Sequence, residues 1–457
     1  MSLYVKNAKI VTGTTIFTGG IFVEGEKIQA LVYGDPEISA DLVIDARNKY
    51  LLPGLVDAHC HFNEPGRTDW EGIRTGSFAA AAGGVTTVFE MPLNSTPPTI
   101  NTFELNRKRK LVESDSIIDI AHYGGLVDNN IEEIDALEAE GVIGYKTFLS
   151  NSGVDFERID DDLLFEGLKK ISSLGNMISI HSENEFIINY LTDKLKAEGR
   201  VDRSAWYEAR PPETEIEAIH RVCLLTELTK GYSNVAHIST PDGIRIIAQA
   251  KQRGVHVTSE TCPHYLFFDQ EDFKRIGPEA KCAPPLRSRA MVEEMWSLVK
   301  DGVVDIIASD HSPCLESDKL QGSDNIWQAW GGITGIQTML PAILTEGVHK
   351  RSLSLLQVVQ MMSIHPAKTY GVYPEKGSLI PGTDADFIIV DLDKEWTLEA
   401  DALLSKNKHS AYVGEKFKGY VEKTFVRGNL VYQQGEVVAK PGFGKAIRKL
   451  HKRNQPG

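Results

Sequence analysis

The sequence predicts an α/β protein, a closed (β/α)₈ TIM barrel joined to a small β-sandwich domain built from both chain ends. Two observations predict it. Residues 53–370 alternate short β-branched runs with amphipathic or alanine-rich stretches, and eight such runs can be counted. The two ends of the chain consist instead of short strand-like runs separated by glycines. An alternating strand–helix middle between two strand-rich ends predicts two domains, one formed by the middle and one formed by both termini together.

The eight runs are the candidate barrel strands. Strands that alternate with helices form a parallel sheet, and eight units over roughly 300 residues predict a closed barrel. The strands are Leu55–His61, Val85–Met91, Ile117–His122, Val142–Phe148, Met177–His181, Asn234–Ile238, Val255–Glu260 and Val304–Asp310.

Both ends of the chain show strand-and-turn patterning. In the first 50 residues, runs such as Leu3–Val11 and Lys27–Val32 are bounded by glycine turns, and runs after residue 377 repeat the pattern. We therefore expect residues 1–52 and 371–440 to form one composite β domain. The basic stretch 441–457 is expected to be a solvated helix or a frayed end.

Composition excludes several function classes. The chain has 457 residues, a net charge of −14, 42% hydrophobic and 25% charged residues. An acidic protein lacks the basic footprint needed for nucleic acid or an anionic membrane. No apolar run reaches about 18 residues, and the N-terminus lacks a signal-peptide pattern. Five cysteines without a CxxC pair indicate reduced thiols, so a cytoplasmic protein is expected.

His59, Cys60 and His61 stand where the first barrel strand ends. Side chains alternate along a strand, so both imidazoles project to one side and Cys60 to the other. Two neutral imidazoles at a strand end make half of a metal site. An isolated HxH is more often incidental, and the remaining strand ends decide between the two interpretations.

Four further polar residues stand at the ends of other candidate strands. Barrel enzymes carry their reacting groups at the C-terminal strand ends. Each residue alone has a structural explanation, such as a rim histidine on a carbonyl or an aspartate capping a helix. Six such residues at one depth predict a metal centre. The four are Lys146, His181, His237 and Asp310.

A lysine among metal ligands needs a physical account. Burial disfavours its charge, and the neutral amine can add carbon dioxide to form a carbamate with two oxygens. Such a group can bridge two divalent ions about 3.5–4 Å apart. We predict that Lys146 bridges them, with His59, His61 and Asp310 on one ion and His181 and His237 on the other. Zinc suits the ligands best, and manganese, cobalt or iron would also fit.

The predicted centre suits hydrolysis of an amide C–N bond. Two ions lower the pKa of a shared water and polarise a carbonyl. Asp310, at the rim, is the predicted catalytic residue, since it can take the proton of the attacking water and return it to the leaving nitrogen.

These six residues and the flanking β domain resemble the amidohydrolase superfamily, in particular its cyclic amidohydrolases. The resemblance covers roughly residues 1–440. It implies a lysine carbamate between two metals, a small-molecule cyclic ureide as substrate and a homo-oligomer, commonly a tetramer. Segments similar to the allantoinase branch imply ring opening of allantoin to allantoate in purine catabolism. They are His59–Gly72, Ala79–Thr87, Met91–Thr99, Ser309–Cys314 and Ala329–Ile333.

Two departures separate the sequence from sister groups. Asn63 stands where dihydroorotases have an arginine that grips the substrate carboxylate, which fits a neutral ureido group instead. Asn151 stands where hydantoinases place an oxyanion-binding tyrosine. Another group, first of all the metal, then has to stabilise the oxyanion.

Substrate contacts are predicted at Asn63, Asn94 and Ser288, where an ordinary loop turn is the alternative for each. The alternatives for the whole chain are a hydantoinase (dihydropyrimidinase) or dihydroorotase-like enzyme, and a non-catalytic scaffold homologue. Further histidines are predicted to have structural roles. His122 could reach the site, but no metal position is left for it. His264 is expected to orient a loop, and His311 to hydrogen-bond to a metal ligand rather than to the metal.

Overall fold

The computed structural model describes residues 1–34 and 36–450. Its strands, in chain order, are β1 Ser2–Val11, β2 Ile16–Glu24, β3 Lys27–Tyr33, β4 Leu42–Asp45, β5 Tyr50–Pro53, β6 Leu55–Cys60, β7 Val85–Glu90, β8 Asp119–His122, β9 Gly124–Gly125, β10 Tyr145–Phe148, β11 Ile178–His181, β12 Ser233–Val235, β13 Val257–Thr261, β14 Ile306–Ile307, β15 Phe387–Thr397, β16 Lys416–Val426, β17 Asn429–Gln433 and β18 Glu436–Val437.

The α-helices lie mainly between the barrel strands. They are α1 Ile73–Ala82, α2 Thr102–Asp115, α3 Ile134–Ala139, α4 Asp161–Ser173, α5 Glu185–Ala197, α6 Arg203–Glu208, α7 Pro212–Thr229, α8 Pro241–Gln252, α9 Pro263–Phe267, α10 Gln270–Ile276, α11 Arg289–Lys300, α12 Glu316–Leu320, α13 Met339–Ile343, α14 Leu355–Val359 and α15 His365–Thr369. Two π-helical turns, Leu344–His349 and Gln360–Ile364, continue α13 and α14. Short 3₁₀ turns are Ile131–Glu133, Pro278–Ala280, Ile326–Gln328, Ile336–Thr338 and Ala400–Ala402.

Eight parallel strands close into the predicted barrel. The sheets β6-β7-β8 and β9-β10-β11-β12-β13-β14 supply them, with β8 and β9, one residue apart, forming a single barrel strand. The N–H of Ile143 donates to the carbonyl of His122 (2.9 Å), and the N–H of His61 donates to the carbonyl of His311 (2.8 Å). These bonds join the two sheets on both sides, so the (β/α)₈ prediction is confirmed.

Both chain ends share one sheet of nine strands. Its order is β18-β17-β16-β15-β5-β1-β2-β3, and β4 pairs with β1. Ile28 of β3 and Phe425 of β16 belong to one apolar cluster, yet a flat sheet would separate these strands by about 24 Å. The sheet therefore folds over its own core, and the predicted sandwich is one continuous sheet.

Gly54 is the residue at which the chain passes from the composite sheet into the barrel. β5 pairs with β1 and β15 in the composite sheet, whereas β6 begins the barrel one residue later. A Cβ at Gly54 would lie 2.2–2.8 Å from side-chain atoms of Thr86, so no larger residue fits there. The apolar run that continues across residues 50–56 is thus divided between two sheets.

The tail differs from the expectation of a solvated helix or frayed end. Up to residue 450 it lies beside β8, where Lys445 O accepts from Ile120 N–H and Ile447 N–H donates to Ile120 O, both at 2.9 Å. Strand edges have free backbone groups that an adjacent segment satisfies. The rest of the tail, 451–457, lies outside the described residues. Within the described ranges, every helix is too short or too polar to cross a bilayer.

Candidate metal centre

All six predicted ligands lie at the C-terminal mouth of the barrel, five of them buried and Asp310 nearly so. His59 is in β6, Lys146 in β10, and His181 ends β11. The other two strands are shorter than predicted. His237 comes two residues after β12 and Asp310 three residues after β14, so both are in loops rather than in strands.

Asp310 lies between the first pair of histidines. Its Oδ1 is 3.4 Å from Nε2 of His59 and 3.4 Å from Nε2 of His61. Although burial opposes ionisation, His59, His61 and His237 hold the pKa of Asp310 well below its usual value. The carboxylate and two imidazole nitrogens converge as ligands of one cation would.

His181 and His237 form the second pair. Nδ1 of His181 is 3.1 Å from Nε2 of His237, and the ring of Phe148 stacks on His181 with centroids 4.7 Å apart. Donor atoms of His59, His237 and Asp310 also lie within 4.8 Å of one another. The two pairs are therefore adjacent, as a two-ion centre requires.

Lys146 is fully buried among these groups. Within residues 1–34 and 36–450 its Nζ has no hydrogen-bond partner, and neither does Nε2 of His59. Burial lowers the pKa of Lys146 to about 8, which makes the neutral amine accessible near neutral pH. Buried polar atoms normally find partners. This donor set of nitrogens and one carboxylate therefore fits divalent cations, and its unsatisfied atoms give the cations a place.

The orientation of three ligands is fixed by acceptors behind them. Nδ1 of His59 faces Glu260 (2.7 Å), Nδ1 of His61 faces the carbonyl of Leu93 (3.1 Å), and Nε2 of His181 faces Glu183 (2.8 Å). A proton on each of these nitrogens leaves the opposite nitrogen free to bind metal. Glu183 and Glu260 were missed in the sequence, although each is a carboxylate at a barrel-strand end.

The backbone at the site is held in sparsely populated conformations. The φ angles are 37° at His237, 44° at Asp310 and 64° at Asn63, none of them glycine. Left-handed backbone at such residues costs of order 1–3 kcal/mol and is typical of functional sites. A regular strand would not aim His237 and Asp310 at the other ligands.

The three predicted substrate contacts lie in different environments. Asn63 is buried and its Nδ2 donates to the carbonyl of Pro313 (3.1 Å), while its Oδ1 lacks a partner within the described chain. Asn94 donates to Oγ of Ser312 at 3.3 Å. The Ser288 hydroxyl caps α11 by accepting from the N–H of Met291. Asn151, in place of the hydantoinase tyrosine, accepts from the N–H of Gly153 in its own loop.

The additional histidines divide into two groups. His122 faces Glu90 at 3.4 Å, and Nδ1 of His311 accepts from the N–H of Gly335, so both serve the framework. His264 was expected only to orient a loop, but it lies closer to the centre. Donor atoms of His264, Cys262 and Asp310 are within 4.8 Å of one another.

Comparison with known proteins identifies the family. The model of the Amidohydrolase family matches residues 50–431, so the chain belongs to that family. The chain is 39% identical to an allantoinase of Solibacter usitatus, with 97% of this chain and 96% of that protein covered. It is 40% identical to an allantoinase of Rubrobacter xylanophilus, with 96% and 97% covered.

A solved structure with the same fold is the L-hydantoinase (dihydropyrimidinase) from Arthrobacter aurescens. It has a TM-score of 0.95 and 37% identity, with 98% of this chain and 99% of that chain covered. A protein of this family with these groups at the barrel mouth is a hydrolase acting on cyclic amide C–N bonds.

Proposed function

We propose that the protein is an allantoinase, which opens the five-membered ring of allantoin by hydrolysis to allantoate in purine catabolism. The observation that carries the proposal is that buried donor atoms of His59 and Lys146 at the barrel mouth have no partner in the described chain. Buried polar atoms without hydrogen-bond partners destabilise the folded protein unless a bound ligand satisfies them.

Two divalent ions complete the proposed centre, with zinc as the first choice. His59, His61 and Asp310 would hold one, His181 and His237 the other, and a carbamate on Lys146 would bridge them. When bound, such ions supply a water acidified toward neutral pH and a Lewis acid for the scissile carbonyl. The buried, unpartnered amine of Lys146 supports the carbamate.

Asp310 is the proposed proton carrier. A carboxylate oxygen accepts the proton that the attacking water loses as its oxygen bonds to the carbonyl carbon. The same oxygen then donates that proton to the ring nitrogen as the C–N bond breaks. The products are a free ureido nitrogen and a carboxylic acid, which ionises to the carboxylate by releasing its proton to solvent. The position of its Oδ1, 3.4 Å from Nε2 of both His59 and His61, supports this role.

Relatives and Asn63 support allantoin as the substrate. Several relatives at 38–40% identity over nearly the whole chain are allantoinases. Asn63 Oδ1 is a buried acceptor without a partner in the described residues, and a ureido N–H would satisfy it. An uncharged amide in this place does not favour a carboxylate-bearing ring.

A hydantoinase is the second candidate, supported by the similarity to the L-hydantoinase structure. The test compares kcat/KM on allantoin, hydantoin, dihydrouracil and dihydroorotate with one metal-loaded preparation. We expect allantoin to be preferred. A higher value for any of the other three would overturn the assignment.

A non-catalytic scaffold is a third alternative. The presence of all six ligands argues against it. Metal analysis of protein purified without chelator tests it, and two ions per chain are expected, whereas metal-free protein without activity would support the scaffold.

We also propose a cytoplasmic homo-oligomer, with a tetramer expected. The five cysteines are free and buried, which suits a reducing compartment. Phe186 and Tyr190 on α5 and Leu224 and Leu228 on α7 are exposed apolar side chains that a subunit interface would cover. Light scattering of purified protein measures the mass, and a monomer at micromolar concentration would contradict the oligomer.

A further inference from the structure

The acceptors behind the metal-ligating histidines differ between the two cation positions. On one side both histidines have an acceptor: Glu260 for His59 and a backbone carbonyl for His61. On the other side His181 faces Glu183, whereas Nδ1 of His237 has no partner in the described chain. The basicity of an imidazole ligand rises with the strength of the acceptor behind it, so the two sides are chemically unequal.

Glu260, which faces His59, is not paired with an arginine or a lysine in the described chain. It is completely buried and accepts from the amide of Asn234 at 2.9 Å, a neutral donor. In residues 1–34 and 36–450 no lysine or arginine lies within ion-pair distance of it. Its charge therefore acts on the ligands themselves, since little else is near enough to neutralise it.

Glu183 shares its charge with an arginine. The same Oε2 that faces His181 accepts from Nη1 of Arg210 at 2.5 Å. Both side chains are largely withdrawn from solvent, with exposures of 0% for Glu183 and 11% for Arg210. A charge-assisted bond in such an environment is strong and draws electron density away from the histidine.

Arg210 is held in this position from two further directions. Its guanidinium lies 4.6 Å from the ring centre of Trp206. Its backbone carbonyl accepts from Nη1 of Arg287 at 2.6 Å. The arginine lies in the three-residue connection between α6 and α7, and these two contacts hold its backbone and its side chain in place.

We propose that Arg210 is a positioning residue that acts through Glu183 on His181 and makes the His181–His237 cation position the weaker of the two. The cation held by His59, His61 and Asp310 has the carboxylate of Asp310 among its ligands and that of Glu260 facing the His59 imidazole. On the other side, the carboxylate that faces a ligand imidazole is Glu183, which Arg210 already neutralises. This inference rests on the proposed two-metal centre, and it adds a ranking of the two positions by their affinity for the cation.

The test measures bound metal rather than activity. Metal-loaded protein is dialysed against a graded series of chelator concentrations, and ions per chain are counted by mass spectrometry. Wild-type protein is expected to lose its ions in two separate steps. Arg210→Met should shift the first step to about ten-fold higher chelator, because Glu183 then acts on His181 with its full charge. Arg210→Lys should behave as wild type.

Arg221→Met is the matched control. Arg221 is on α7 and pairs with Asp161 at 2.9 Å on the outside of the barrel, so its loss should leave both release steps unchanged. Two variants that replace a carboxylate by a carboxamide show which cation is released in which step. Glu183→Gln should make the first ion roughly 10–100-fold easier to remove, and Glu260→Gln should do so for the second ion.

These measurements separate the two proposals. Fewer than two ions in wild-type protein would contradict the metal centre itself. Two ions released in one step, or an unchanged first step in folded Arg210→Met, would overturn the role of Arg210. Should Arg210→Met fail to fold, Glu183→Gln decides: loosening of the second ion instead of the first would overturn the inference.

Discussion

The two ends of the barrel each contain a buried cluster of charged and polar side chains, and the clusters differ in how their atoms are paired. At the N-terminal end, Lys376 donates to Asp119 (2.5 Å) and Asp386 (2.8 Å) and pairs with Asp384 (2.9 Å), while Arg427 also pairs with Asp119. At the C-terminal end, Lys146 and His59 each present an atom without a partner in the described chain.

The difference shows how a structural cluster is distinguished from a functional one. Asp119, Asp384 and Asp386 could by themselves hold a cation, but the ammonium of Lys376 already lies among them. Their cluster joins β8 of the barrel to the composite sheet and is complete. The metal centre is incomplete, and a group supplied from outside has to complete it.

Removing the lysine of the incomplete cluster should have the largest effect. Lys146→Ala is expected to lose metal and to lower kcat/KM by on the order of 10³-fold or more, because several kcal/mol of transition-state stabilisation depends on the ions. Short carboxylic acids should restore part of the activity by supplying the missing bridge. Metal content and kinetics with and without acetate check this, and wild-type activity without added acid would contradict the bridge.

Removing the lysine of the complete cluster should affect stability instead. Lys376→Met leaves Asp386 buried without its cation and Asp119 with Arg427 alone, which costs about 3–5 kcal/mol. Urea unfolding followed by circular dichroism measures the loss. Metal content of the folded fraction is the control and should match wild type. A variant as stable as wild type would show that the cluster does not join the two units.

A smaller effect is expected for substrate binding. Asn63→Gly removes the amide while keeping a residue suited to φ 64°. KM for allantoin should rise about ten-fold, corresponding to loss of a hydrogen bond worth 1–2 kcal/mol. Unchanged metal content and thermal stability would exclude a structural cause. An unaltered KM would remove Asn63 from the substrate site.

The smallest expected effect is a pH dependence of stability. It comes from the contact between His409, in the loop that connects β15 and β16, and Glu279 of the barrel. Burial lowers the pKa of His409, but its bond to Glu279 (2.8 Å) outweighs burial, and the net shift is upward. Because the pKa of His409 is higher in the folded than in the unfolded protein, its protonation stabilises the folded state. This contribution is fully present at pH values below the unfolded pKa near 6.5, and it is lost as the pH rises through the folded pKa. His409→Gln should remove this dependence.

The size expected for that contribution is about 0.5 kcal/mol, since partial exposure screens the pair. It is measured as the difference in unfolding free energy between wild type and His409→Gln at pH 6 and pH 9. Equal differences at the two pH values would contradict the ion pair.

Much of the metal centre could be predicted because parallel barrel strands end at one face. His59, Lys146 and His181 needed only the strand pattern, and the structure brings them together at the mouth. His237 and Asp310 were assigned to strand ends that turned out to be loops with positive φ. Their residue types were informative, but a backbone held by tertiary contacts was not visible in the pattern.

Residues acting from behind the ligands were the least predictable. Glu183 and Arg210 are 27 positions apart, and neither belongs to a spacing that signals metal binding. The tail was wrongly expected to be a solvated helix or a frayed end, because its basic composition did not reveal the backbone hydrogen bonds to β8. In each case the partner comes from a distant part of the chain.

The sequence by itself determined the barrel, the composite sheet and which six residues are proposed as ligands, because strand periodicity and residue chemistry are local properties. Only the tertiary structure decided which buried atoms are left without partners and which carboxylates retain their charge. Pairing and desolvation depend on everything that packs around a group, and no local pattern encodes that environment.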